Sequence, residues 1–209
     1  MHHFITSKHI FLTPKVIIDI GCGKGNIIKS LFNINNLMLT HSYSIGLDIF
    51  IPSLLTARKI YDDVVRCDVK CLPLRDASGD IVLATQILEH LKKNDGFDLI
   101  RDIEKISREI IIISLPVGDN PKQHLEDDNL WQAHLSSWHP DEFKAMGFKV
   151  YGYEGARFFR SERGSFKMKS KIILPYLFIL SLFTQLFTYR LVTVSYQMVC
   201  IKIKKNYGL

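Results

Sequence analysis

Apolar residues in this chain fall into short continuous runs separated by longer mixed stretches. Val16-Ile17-Ile18-Asp19-Ile20 is the first run, and comparable runs predict strands at 16–20, 44–48, 63–67, 80–84 and 109–115. Runs of this length and purity suit parallel strands covered on both faces. The stretches between them carry helical periodicity, clearest over 95–108, where Phe97, Ile100, Ile103 and Ile106 recur at three-residue steps. Further on, 148–153 and 194–204 predict a sixth and a seventh strand. Cys200-Ile201-Lys202-Ile203-Lys204 alternates with period two, as expected of an antiparallel strand near a sheet edge. This alternation of elements predicts an α/β, doubly wound, mostly parallel seven-stranded sheet that binds its ligand at the C-terminal ends of the first strands.

The first run opens into Gly21-Cys22-Gly23-Lys24-Gly25, with Asp19 two residues ahead. Glycines at alternate positions let the backbone turn sharply and let a ligand approach where no Cβ stands. A helix beginning near Gly25 turns its free N–H groups toward that loop. A dinucleotide fingerprint needs its third glycine one place later, where this chain has Asn26. The second strand ends in Asp48, 23 residues after Gly25. An acid about 20 residues past such a loop is placed to accept from ribose hydroxyls. Asp48 also stands just ahead of Pro52, where it is a candidate cap for the next helix.

Asp19-Ile20-Gly21-Cys22-Gly23-Lys24-Gly25 matches (D/E)-x-G-x-G-x-G, and the chain thereby resembles the class I S-adenosylmethionine-dependent methyltransferases, small-molecule type, over roughly 15–155. Asp68 with Leu72-Pro73 is similar to the family's third-strand motif, and Asp80 to Leu91 resembles its fourth strand and following loop. The resemblance implies a Rossmann-like fold and S-adenosyl-L-methionine as cofactor. It places Asp19, Gly21, Cys22, Gly23, Gly25, Asp48, Ile49, Asp68, Val69, Thr85 and Gln86 around that cofactor. Asp68 would accept from the adenine amino group beside the Val69 N–H, and Gln86 would lie near the methyl-bearing end. Read as structure alone, Asp68 is a turn residue, and Glu89-His90 starts a helix beneath the site. A nicotinamide-dependent dehydrogenase and a non-catalytic membrane-associated scaffold are the alternatives on the same fold.

The segment from Pro116 to Pro140 is the expected substrate side, carrying Trp131, His134, Trp138 and His139. His134 is the catalytic candidate, because a histidine accepts a proton near neutral pH. Ser137 or His139 is placed to cap the helix that Pro140-Asp141-Glu142 opens.

Length and charge refine this picture. At 209 residues and net charge +6, the chain fits one domain, 1–209, with 1–14 as a short N-terminal cap. Four scattered cysteines fit reduced thiols, and Cys67-x-x-x-Cys71 without a second pair is poor evidence for zinc, so no metal is expected. The first residues lack the long apolar region of a signal peptide. The expected location is cytoplasmic.

Between strands six and seven lies an insertion over 156–193. It opens with Arg157, Arg160, Arg163, Lys167, Lys169 and Lys171 against Glu162 alone, then runs uncharged from Ile172 to Tyr189. A span would leave the seventh strand on the wrong side of a membrane. Ser181, Thr184, Gln185 and Thr188 fall at i, i+3, i+4 and i+7, giving a helix a narrow polar stripe and a wide apolar face. That face has three candidate uses: packing on the domain, contact at a membrane surface through 157–189, or a lid over an apolar or lipid-like small-molecule acceptor. Nucleic acid is a weaker explanation of the charge, since no aromatic stacking platform interleaves the cations and Ala84-Thr85-Gln86-Ile87 replaces the amino-directed N/D-P-P-Y/F motif.

Overall fold

In a computed structural model, residues 15–34, 42–118, 130–159 and 174–204 are described. The expected cap over 1–14 and the cations Arg160, Arg163, Lys167, Lys169 and Lys171 lie outside them. The strands are β1 (Val16–Ile20), β2 (Tyr43–Asp48), β3 (Asp63–Arg66), β4 (Gly79–Thr85), β5 (Ser107–Pro116), β6 (Lys149–Ala156) and β7 (Ser195–Ile203), in one sheet of order β3-β2-β1-β4-β5-β7-β6. The helices are α1 (Asn26–Ile34), α2 (Ile51–Ala57), α3 (Lys93–Ile106), α4 (Pro140–Ala145) and α5 (Leu174–Thr188).

β1 pairs in parallel with β2 and β4, and β2 in parallel with β3. Ile17, Ile18, Asp19 and Ile20 are all buried, as a central strand covered on both faces requires. β7 runs antiparallel to β6. The periodicity over 95–108 overshoots by two residues. The helix stops at Ile106, the last member of its apolar stripe, because Ser107 and Arg108 join β5. Arg108 is held there by Asp80, whose other oxygen accepts from the Val16 N–H at 2.7 Å.

Near the N-terminal ends of β1 and β5, Lys15 Nζ meets Glu109 Oε1 at 2.6 Å with both side chains buried. The opposite, C-terminal ends of β1 and β2 carry the glycine turn and Asp48. The chain packs as two units. One comprises the described residues up to Ile87, Asn94–Ile113 and those from Lys202, and the other Leu88–Lys93 and Ser114–Ile201. The glycine turn belongs to the first, and His134 and α5 to the second.

Within the second unit, α5 reverses the usual orientation of an amphipathic helix. Its polar stripe faces β6. Gln185 accepts from the Gly155 N–H at 2.8 Å and donates to the Gly152 carbonyl at 2.9 Å, while Thr184 Oγ1 accepts from the Ala156 N–H at 3.2 Å. Ser181 and Thr188 are buried, whereas Tyr176, Phe178, Leu182, Phe183, Leu186 and Phe187 are exposed. Packing of the apolar face on the domain, one of the three uses expected from sequence, is therefore corrected. β6 bends through a bulge between Tyr153 and Ala156 that frees backbone groups, and only polar side chains can satisfy them. Among the described residues no helix is long and apolar enough to cross a membrane.

Candidate functional site

β1 ends at Ile20, and Gly21, Gly23 and Gly25 then all take positive φ, at 71°, 53° and 83°. Two of these glycines serve different needs. A Cβ on Gly21 would lie 2.8 Å from Ile87 Cδ1, so that position needs glycine for packing as well as for its backbone. A Cβ on Gly23 would meet nothing within 4 Å. Gly23 thus presents bare backbone to open space, the geometry for close approach of a ligand.

Asp48 fixes this turn. Its Oδ2 accepts from the Gly23 N–H at 2.8 Å and its Oδ1 from the Phe50 N–H at 2.8 Å. Phe50, not Asp48, is the N-cap of α2, so the alternative capping role is corrected: Asp48 is drawn back onto the glycine turn instead. Each carboxylate oxygen still has a second lone pair for a hydroxyl. Gly21 and Cys22 both donate to the Leu47 carbonyl, at 2.8 and 2.9 Å. Ile49, next in the chain, accepts from Arg66 Nε at 3.4 Å.

Asp19 is fully buried. Its Oδ2 accepts from the Tyr61 hydroxyl at 2.5 Å, and its Oδ1 has no partner. Burial pushes its carboxyl up to about 7, Tyr61's hydrogen bond opposes that rise, and the Asp48 charge adds to it. Burial likewise raises the Cys22 thiol and the Tyr61 phenol. Gly46 makes the arrangement fit, since a Cβ there would stand 2.9 Å from Cys22 Sγ and 3.1 Å from Tyr61 Cδ2. Sequence reasoning missed Tyr61 and Gly46; neither stands in a motif, and only the packing of α2 against β2 joins them to Asp19.

Asp68 is a turn residue here: its Oδ1 accepts from the Lys70 N–H at 3.0 Å and its carbonyl from the Cys71 N–H at 2.9 Å. Val69 beside it is buried. Thr85 is buried at the end of β4, and Gln86 after it takes φ of 54°. A non-glycine residue in the left-handed region stores about 1 kcal/mol or more of strain, which marks this strand end.

The second unit holds a distinct cluster. Leu88–His90 forms a single 3-10 turn rather than the start of a longer helix, with Glu89 buried. Both Glu89 carboxyl oxygens lack partners, and burial pushes that carboxyl up to about 8. His90 Nδ1 lies 3.3 Å from the Ala133 carbonyl, which can only accept, so this nitrogen carries the proton. Burial first, and His134 second, lower His90 to about 4. His134 packs edge-on against His90 with ring centroids 5.0 Å apart. Trp138, expected on the substrate side, is instead core at 1% exposure, with Lys93 Nζ 3.7 Å from its ring centroid. His139 is the N-cap of α4 and donates its N–H to Glu142 Oε2 at 2.7 Å. All four cysteines are free.

The model of a methyltransferase domain family matches residues 18–110. An uncharacterised protein of Methanocaldococcus jannaschii is 26% identical over 76% of this chain, which spans 64% of that relative's length. A SAM-dependent methyltransferase from Archaeoglobus fulgidus superposes with a TM-score of 0.60 at 20% identity, covering 97% of this chain and 90% of that one. Magnesium protoporphyrin IX methyltransferase from Synechocystis, solved with bound SAH, gives a TM-score of 0.55 at 12% identity over 98% and 80%. The methyltransferase family model covers less than half of the chain, and together with the sheet order it makes the chain similar to the class I S-adenosylmethionine-dependent methyltransferases, whose fold it shares.

Proposed function

We propose that the glycine turn binds S-adenosyl-L-methionine and that the chain methylates a small, apolar or lipid-like acceptor. The observation that carries the cofactor reading is the pairing of open backbone at Gly23 with the orphan oxygen of buried Asp19. A carboxyl that lacks a partner in the protein is suited to an ammonium donor, and ionising it is the price the fold meets through that cation. Asp48 and Ile49 border the ribose region, Asp68 and Val69 the adenine, and Thr85 and Gln86 the methyl-bearing end, with Gly21, Cys22 and Gly25 shaping the turn. The cofactor supplies an electrophilic methyl group on a sulfonium, to be displaced in line by the acceptor. The protein's part is to position both reactants and exclude water. His134 serves the acceptor side.

The apolar acceptor reading rests on α5. Eight large apolar side chains of α5 that a helix would ordinarily bury stand in solvent, and a cation-rich sequence precedes them. Such a face fits peripheral contact with an anionic membrane, where the acceptor would be met.

Titration calorimetry tests the first part. Binding of S-adenosylmethionine and S-adenosylhomocysteine in the micromolar range, weakened at least tenfold in Gly23→Val, supports it. Absence of heat from both ligands refutes it.

A further inference from the structure

Outside the glycine turn, three groups with metal-binding chemistry meet in the second unit: we propose that Glu89, His90 and His134 form a site for one divalent transition cation of the Zn²⁺ or Co²⁺ type. One potential ligand atom from each residue lies within 4.8 Å of the others. Donors about 2.0–2.2 Å from a shared ion sit about 3.0–3.5 Å from each other. Closing the site therefore shortens the widest separation by up to about 1–2 Å, within the reach of a torsional adjustment.

Glu89 gives the independent observation. It is 3% exposed, and both its oxygens lack partners. A buried carboxylate is stable only when paired, hydrogen-bonded or coordinated, and the nearby chemistry able to coordinate with it is a cation shared with the imidazoles. The surrounding backbone is built to hold the three together. Leu135 and Ser136 both donate N–H groups to the Glu89 carbonyl, at 2.7 and 3.2 Å, and Ser136 Oγ donates to the Leu88 carbonyl at 3.0 Å. The segment bearing His134 is thereby strapped to the turn bearing Glu89 and His90. The Ala133 carbonyl 3.3 Å from His90 Nδ1 helps fix the orientation of that ring, as a backbone carbonyl does for a metal-ligating histidine.

Two imidazoles and one carboxylate select a borderline cation over Mg²⁺ or Ca²⁺, which prefer oxygen donors. Three protein ligands leave at least one coordination position open, suited to an oxygen donor. A cation held by Glu89, His90 and His134 would supply Lewis acidity at that open position, and its binding does not depend on the methyl-transfer reading.

The test uses the full chain, stripped with a chelator and free of cofactor. Co²⁺ is titrated by visible spectroscopy, and Zn²⁺ by equilibrium dialysis with elemental analysis. Wild type is expected to take up one ion per chain with ligand-field bands of a nitrogen- and oxygen-coordinated Co²⁺. Glu89→Gln and His134→Ala are each expected to lose at least about tenfold in affinity, while His139→Ala and Cys67→Ser/Cys71→Ser bind as wild type does. Circular dichroism confirms that each variant is folded, and His90→Gln replaces any that is not. Uptake unchanged in Glu89→Gln and His134→Ala, or no stoichiometric uptake by wild type, overturns the proposal. Because the assay contains no S-adenosylmethionine, failure here leaves the cofactor titration to stand or fall separately.

Discussion

Replacing Asp19 with asparagine removes an ionisable group that the fold keeps fully buried beside Tyr61. In the folded protein its carboxyl titrates at about 7, against an ordinary value of 3.8. Below pH 3.8 both folded and unfolded chains hold the proton. Between the two values only the unfolded chain ionises, so stability falls as pH rises, by about 1.4 kcal/mol per unit. Above 7 both states are ionised and the loss is complete. Over the accessible range from pH 5 to 8, this one group is expected to cost about 3 kcal/mol. The side chain introduced by Asp19→Asn has no such titration, and its Oδ1 can still accept from Tyr61. Its amide N–H groups inherit the orphan position, a pH-independent cost of about 1–2 kcal/mol. Urea unfolding of both proteins at pH 5, 6, 7 and 8, without cofactor and with chelator present, reads the difference. Wild type should lose about 3 kcal/mol more than Asp19→Asn across the series, a relative midpoint shift of roughly 1 M urea. Glu89 titrates in both proteins and cancels. A stability difference that stays flat with pH would refute the assignment of a protonated, desolvated carboxyl to Asp19.

Other parts of the structure give sharper local expectations. Lys15→Met leaves Glu109 buried without its cation and is expected to cost about 3–5 kcal/mol in urea unfolding, with Lys15→Met/Glu109→Leu recovering most of that loss. Gln185→Ala strips partners from the Gly155 N–H and the Gly152 carbonyl, so thermal unfolding should show a loss of about 1–3 kcal/mol. Leu186→Glu/Phe187→Glu changes side chains 73% and 69% exposed, so stability should hold to within about 0.5 kcal/mol while flotation with anionic liposomes is lost. Unchanged flotation would remove α5 from any membrane role.

How much of this was legible beforehand depended on the range over which each residue finds its partner. Each of the seven expected strands formed; a buried parallel strand such as β1 or β4 writes its burial into its own consecutive side chains, and the antiparallel β7 shows its period-two alternation in part. The motif from Asp19 to Gly25 was equally readable, since left-handed backbone and the absence of Cβ are properties of the glycines themselves. Asp48 was singled out, but its grip on the Gly23 N–H follows from β1 and β2 lying side by side. Tyr61 meets Asp19 across 42 residues, and His90 meets the Ala133 carbonyl across 43. Neither pairing leaves a local signature, so Glu89 and His90 read as an ordinary helix start.

α5 shows the division most plainly. Its sequence established that one stripe is polar and the rest apolar. Which side faces inward was decided by the bulged edge of β6, whose unpaired backbone groups demand hydrogen bonds that leucine and phenylalanine cannot give. The succession of strands and helices along the chain and the glycine turn were therefore set by short-range pattern. The orphan carboxyls, the histidine cluster and the outward apolar face were set by tertiary structure, because burial and partnership belong to groups that meet only once the chain has folded.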